Sequence, residues 1–84
     1  MAVVKLTAEA VEQFTALPRV IRERVQKLLA RLDQWPEVSG VKALRGELAG
    51  WYRLRTGDYR VRFRVEGELV IVGKIGHRKD VYDD

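Results

Sequence analysis

At 84 residues the chain is short enough to read as one domain spanning 1–84. It carries 16 Lys/Arg against 12 Asp/Glu for a formal net charge of +4, and 46% of its residues are hydrophobic, a globular rather than a disordered composition. With no cysteine and one histidine it excludes a disulfide framework, a thiolate nucleophile and a sulfur-based zinc site. A metal would have to rest on carboxylates, which do not cluster, so no metal and no cofactor are expected. No apolar run approaches the roughly 20 residues of a membrane helix, and no signal-peptide pattern opens the chain. The expectation is a cytoplasmic protein with no membrane partner.

The charge is unevenly spread. Residues 1–40 carry six Lys/Arg against five Asp/Glu, residues 41–79 carry ten against four, and the last five carry Asp80, Asp83 and Asp84. Basicity gathered in one half of a chain suits a surface that binds a polyanion.

Val3, Val4 and Leu6 form a short apolar run that reads as an opening strand. Thr7 follows with a hydroxyl suited to capping a helix. Across Ala8–Leu17, Ala10, Phe14 and Leu17 recur at helical spacing. Pro18 ends that helix and suits the start of another. In the second helix Ile21, Val25, Leu28, Leu29 and Leu32 form one apolar stripe, with Arg22, Arg24, Lys27 and Arg31 on the solvated side. Asp33 to Gly40 reads as a connecting loop. From Val41 the period changes to two. Trp51–Arg55, Tyr59–Val65 and Leu69–Ile75 read as strands separated by Gly-containing turns. The fold class is α+β: an N-terminal strand, a helical hairpin, then a three-stranded antiparallel meander with a short C-terminal tail.

Turn chemistry sets a register. Gly57-Asp58 suits a two-residue hairpin loop, because Gly accepts the first central position of a type II′ turn. Arg55 then faces Arg60, Arg53 faces Arg62 and Trp51 faces Arg64. The other face pairs Leu54 with Val61 and Tyr52 with Phe63, so apolar side chains meet apolar ones. Five arginines share one face with like charges opposed, an arrangement that is mildly destabilising. Guanidinium forks grip phosphate oxygens in pairs, and Trp51 can stack on a base. A second turn at Glu66-Gly67 would pair Val65 with Glu68, bring Val70 and Val72 to the apolar face and set Gly73 opposite an unobstructed, solvent-facing Arg60. Continued alternation carries His77 onto the arginine face.

These segments resemble the RelE/ParE superfamily of toxin–antitoxin toxins. The resemblance rests on Leu44-Arg45-Gly46, Trp51-Tyr52-Arg53-Leu54-Arg55, Gly57-Asp58-Tyr59-Arg60-Val61 and Gly76-His77-Arg78-Lys79-Asp80-Val81-Tyr82, in that order. It spans nearly the whole chain. For the RelE-like branch it implies metal-independent cleavage of messenger RNA in the ribosomal A site, by attack of a ribose 2′-hydroxyl on the adjoining phosphate. Carried over by motif, Arg60 is the phosphate-stabilising arginine, and Arg78, Tyr82 and His77 complete the catalytic candidates. Lys42, Arg45, Trp51, Arg53, Arg55 and Arg62 are the RNA-binding candidates. The resemblance further implies a cognate antitoxin, mRNA and the ribosome as partners, and a toxin–antitoxin hetero-oligomer.

The chain departs from the RelE pattern where Arg53 and Arg55 replace lysines. A guanidinium stays protonated at neutral pH, so neither arginine can accept a proton. No carboxylate holds an obvious general-base position, Glu47 being the nearest in sequence, which leaves His77 and Tyr82 for proton transfer. The same resemblance admits a ParE-like inhibitor of DNA gyrase, or a degenerate member that binds RNA or antitoxin without turnover.

Overall fold

The computed structural model describes residues 2–81. Strand β1 (Val3–Leu6) turns Val4 and Leu6 to the interior, and Thr7 ends it. The Thr7 Oγ1 accepts from the Ala10 amide at 3.2 Å and so caps α1 (Ala8–Thr15). Pro18, with no amide to donate, stands at the N-cap of α2 (Arg19–Arg31). The expected stripe faces inward: Val25, Leu28 and Leu32 are buried, with Ile21 and Leu29 packed at its margins.

The helices cover one face of a five-stranded sheet, which makes the fold α+β. Besides β1 it contains β2 (Lys42–Ala43), β3 (Trp51–Thr56), β4 (Tyr59–Glu66) and β5 (Leu69–His77), in the order β1-β5-β4-β3-β2. The β3–β4–β5 meander is the one expected from the turns. It is widened at both edges, by β1 parallel to β5 and by β2 antiparallel to β3. Two residues are too few to show an alternation, so β2 leaves no trace in the sequence pattern.

Register follows the turns in one hairpin and departs from expectation in the next. β3 and β4 pair as predicted, Thr56 opposite Tyr59 through Trp51 opposite Arg64. Between β4 and β5, however, Glu66 pairs with Leu69 and Val65 with Val70, so the loop is Gly67-Glu68 rather than Glu66-Gly67. Gly67 sits at φ +62, as Gly57 does at φ +58, and among the described residues no other residue type takes a positive φ. Both loops place glycine first and an acidic residue second, which is the type II′ preference.

A second departure matters more for the opposite face. Phe63 pairs with Val72 but Arg62 pairs with Lys74, leaving Gly73 as an extra residue in β5. This bulge changes which residues of the strand share a face. It is held from the helix side. Thr7 donates its amide to the Val72 carbonyl at 3.0 Å and its hydroxyl to the Gly73 carbonyl at 3.5 Å, while the Ile75 amide donates to Gln13 Oε1 at 2.7 Å. Replacing Gln13 with alanine leaves that amide without its acceptor, and a loss of about 1–3 kcal/mol is expected in urea unfolding. Gln13→Glu keeps an acceptor oxygen, so it should lose less.

Candidate nucleic-acid interface

The sheet face turned away from the helices carries the basic row. Arg53, Arg55, Arg60, Arg62 and Arg64 occupy it in the expected pairings, and β2 brings Lys42 opposite Arg53. Trp51 lies among them, with the guanidinium carbons of Arg62 and Arg64 at 5.6 and 5.8 Å from its ring centroid. Cation–π attraction of about 0.5–1 kcal/mol per exposed pair opposes the repulsion between like charges of similar size. The ring therefore helps a sheet tolerate so many arginines. Arg55 is exposed at the outer end, whereas the Nε atoms of Arg53 and Arg62 are withdrawn from solvent. Acidic groups bound the row at both ends. Glu66 pairs with Arg64, and Asp58 Oδ1 stands 3.8 Å from Arg78 Nε.

Arg60 is not the solvent-facing residue expected. It is 8% exposed, and its Nη1 donates to the Gly57 carbonyl at 3.0 Å and to the Tyr59 carbonyl at 3.5 Å. The shifted loop, worth two residues, and the bulge, worth one, together set Gly76 opposite it instead of Gly73. The chain then turns back after β5, so that Val81 Cγ2 lies 3.1 Å from where a side chain on Gly76 would begin. Val81 is 1% exposed. Arg78 donates its amide to the Asp58 carbonyl at 2.7 Å, so Arg60 and Arg78 both converge on the Gly57-Asp58 turn.

His77 is displaced by the same bulge. It pairs with Tyr59, two residues beyond buried Ile75, on the helix side of the sheet rather than on the arginine face. Its ring meets Tyr59 edge-on at 5.4 Å, and its Nδ1 accepts from the Lys79 amide at 3.1 Å. Tyr82 lies outside the described residues. Arg45 is exposed and leads into a short 3₁₀ turn, Gly46–Leu48. Among the described residues no three His, Asp or Glu side chains gather as metal ligands would.

Residues 4–82 match the model of a family described as the ParE toxin of the type II toxin–antitoxin system parDE. The chain belongs to the RelE/ParE toxin superfamily. Toxin RelG of Mycobacterium tuberculosis is 36% identical to it over 67 residues, 77% of this chain and 76% of the relative. Toxin RelE3 of Methanocaldococcus jannaschii is 28% identical over 76 residues, 87% of this chain and 86% of the relative. The toxin chain of the RelBE2 toxin–antitoxin complex from Mycobacterium tuberculosis matches with a TM-score of 0.79 at 28% identity, covering 92% of this chain and 98% of that one.

In this RelE/ParE toxin the basic face contains features that the sequence pattern does not single out. Arg64 joins Arg62 on the Trp51 ring. Leu44 and Val81 are buried at 5% and 1% exposure yet stand apart from the main core. Val81 is a lone apolar residue in a polar tail, a weak sign that something buries it. Asp58 reads as a turn residue but also meets Arg78. No described helix of the toxin is long and apolar enough to cross a membrane.

Proposed function

We propose that this toxin is a metal-independent endoribonuclease that cuts messenger RNA in the ribosomal A site. The observation that carries the reading is the arginine row on one open sheet face with an aromatic ring set among its members. Such a face offers phosphate forks and a stacking surface together. Lys42, Arg45, Arg53, Arg55 and Arg62 hold the RNA backbone. The ribose 2′-hydroxyl gives its proton to solvent as its oxygen attacks the neighbouring phosphorus, the bond from phosphorus to the 5′-oxygen breaks, that oxygen takes up a proton, and the products are a 2′,3′-cyclic phosphate and a 5′-hydroxyl. Arg60 and Arg78 stabilise the charge that builds on the phosphate oxygens. With His77 on the helix side of the sheet, Tyr82 is left to serve the leaving oxygen. The RelBE2 neighbour is a toxin–antitoxin complex, which supports a cognate antitoxin and a hetero-oligomer here as well.

The test is purified toxin on programmed ribosomes, with transcript ends mapped beside an Arg53→Ala/Arg62→Ala control. A-site cuts ending in a cyclic phosphate, lost in the control, are expected. The ParE description of the matching family favours gyrase as the second reading. Gyrase-dependent DNA breaks in expressing cells, with transcripts intact, would put that target in place of RNA.

Salt gives a further check. About five phosphate contacts predict that the logarithm of the affinity for single-stranded RNA falls with the logarithm of salt at a slope of roughly −3.5. Arg55→Ala should make that slope shallower by about 0.7.

A further inference from the structure

Gly73 is the residue that β5 has in excess, and a side chain there would displace the ring of Trp51. A Cβ built on it would stand 2.8 Å from both Cη2 and Cζ3 of Trp51. The indole thus leaves β3, crosses β4 and rests its benzo ring on the bulge of β5. The bulge is fixed from the opposite face by Thr7 and Gln13, as described above. Arg62 and Arg64 lean on the same ring, and the ring remains part-exposed.

Each of these features has an ordinary use, but together they build something specific. A large aromatic on an open sheet face would normally be free to swing, and would lose rotamer entropy on binding. Here the backbone beneath it, two guanidinium groups and the absence of a Cβ at Gly73 fix its plane before any ligand arrives. A preset aromatic plane beside phosphate-binding arginines matches an unpaired base with its phosphate.

We propose that Trp51 is the stacking seat for one unpaired nucleobase of the substrate RNA, and that Gly73 is the positioning residue that shapes the seat. This rests on the RNA-cleaving reading and names the part of the substrate that the face recognises beyond its phosphates. The base lies on the indole while its phosphates reach Arg62 and Arg64. Stacking tolerates all four bases, so the seat contributes affinity and placement rather than a strict sequence code.

The experiment titrates the intact toxin with a short single-stranded oligoribonucleotide bearing 2′-O-methyl groups, which binds without being cut. Binding is followed by tryptophan emission and by an independent anisotropy signal. Trp51 emission should be quenched as the base stacks, and Trp51→Phe, which retains Trp35, should lose the quench with only a few-fold loss of affinity. Trp51→Ala should bind roughly tenfold to a hundredfold more weakly, as should wild type with an abasic analogue of the same length. Gly73→Ala moves the far end of one side chain rather than backbone, so it should fold and yet weaken binding comparably. In a Trp51→Ala background Gly73→Ala should cost nothing more, because its effect passes through the ring. Salt-dependent binding with no quench and an unaffected Trp51→Ala would overturn the seat while leaving RNA binding intact. Equal losses from Gly73→Ala with and without the indole would overturn the role of Gly73. No binding by wild type to any oligomer would overturn the seat, while A-site cleavage on programmed ribosomes decides the RNA reading separately.

Discussion

Arg60→Ala is expected to lower the rate of messenger cleavage about a hundredfold to a thousandfold, the scale found when one preorganised charge-stabilising donor is removed. It should also destabilise the fold, because Arg60 is nearly buried and its Nη1 serves the Gly57 carbonyl. Losing a part-buried hydrogen bond from a charged donor costs about 1.5–3 kcal/mol, against a total of roughly 4–13 kcal/mol for a chain of this length. The two effects are separable by measurement. Cleavage should be followed in single turnovers at a temperature where urea unfolding shows the variant to be folded. Arg60→Lys should then recover charge but not the planar fork, and so regain only part of the rate. A folded Arg60→Ala toxin that cuts at the wild-type rate would remove Arg60 from the chemistry and leave it a purely structural tie to the turn.

Arg60 also shows where sequence reasoning reached and where it stopped. The β3–β4 register was legible because Gly57 fixes the turn and apolar alternation confirms it, and so was the clustering of five arginines. The helical hairpin was legible from the stripe on α2 and from Thr7 and Pro18. The β4–β5 hairpin was harder, since either Glu66-Gly67 or Gly67-Glu68 could form the loop, and both choices leave Val70 and Val72 on the apolar face. The one local sign of the bulge is an isolated glycine inside a strand pattern. Gly73 is compatible with plain strand, and the groups that secure the bulge, Gln13 and Thr7, are remote in sequence. The shifted loop and one inserted residue together reassigned the neighbours of Arg60, and the inserted residue moved His77 to the other face. The burial of Val81 depends on the same tertiary turn, beyond the reach of any periodicity.

Phe63→Ala should cause the largest loss of stability, about 3–5 kcal/mol in equilibrium urea unfolding. Phe63 is fully buried and packs edge-on to Trp35 at 5.5 Å and stacked on Tyr52 at 5.6 Å. It therefore joins the loop after α2 to two strands of the sheet. Neither ring can follow it into the vacated space without leaving its other neighbour, Trp35 and Tyr52 being in contact at 5.1 Å, so the cavity term should be retained. Phe63→Leu, which keeps much of the volume, should lose distinctly less. The position has a functional side too. Phe63 lies between Arg62 and Arg64 in sequence and pairs with Val72 directly before the bulge. Loosening it should blur the placement of both arginines on the opposite face. RNA affinity should therefore fall in Phe63→Ala even under conditions where the protein remains folded, and Phe63→Leu should restore most of it. Unchanged affinity in a folded Phe63→Ala toxin would show that the arginine row keeps its geometry without support from the core beneath it.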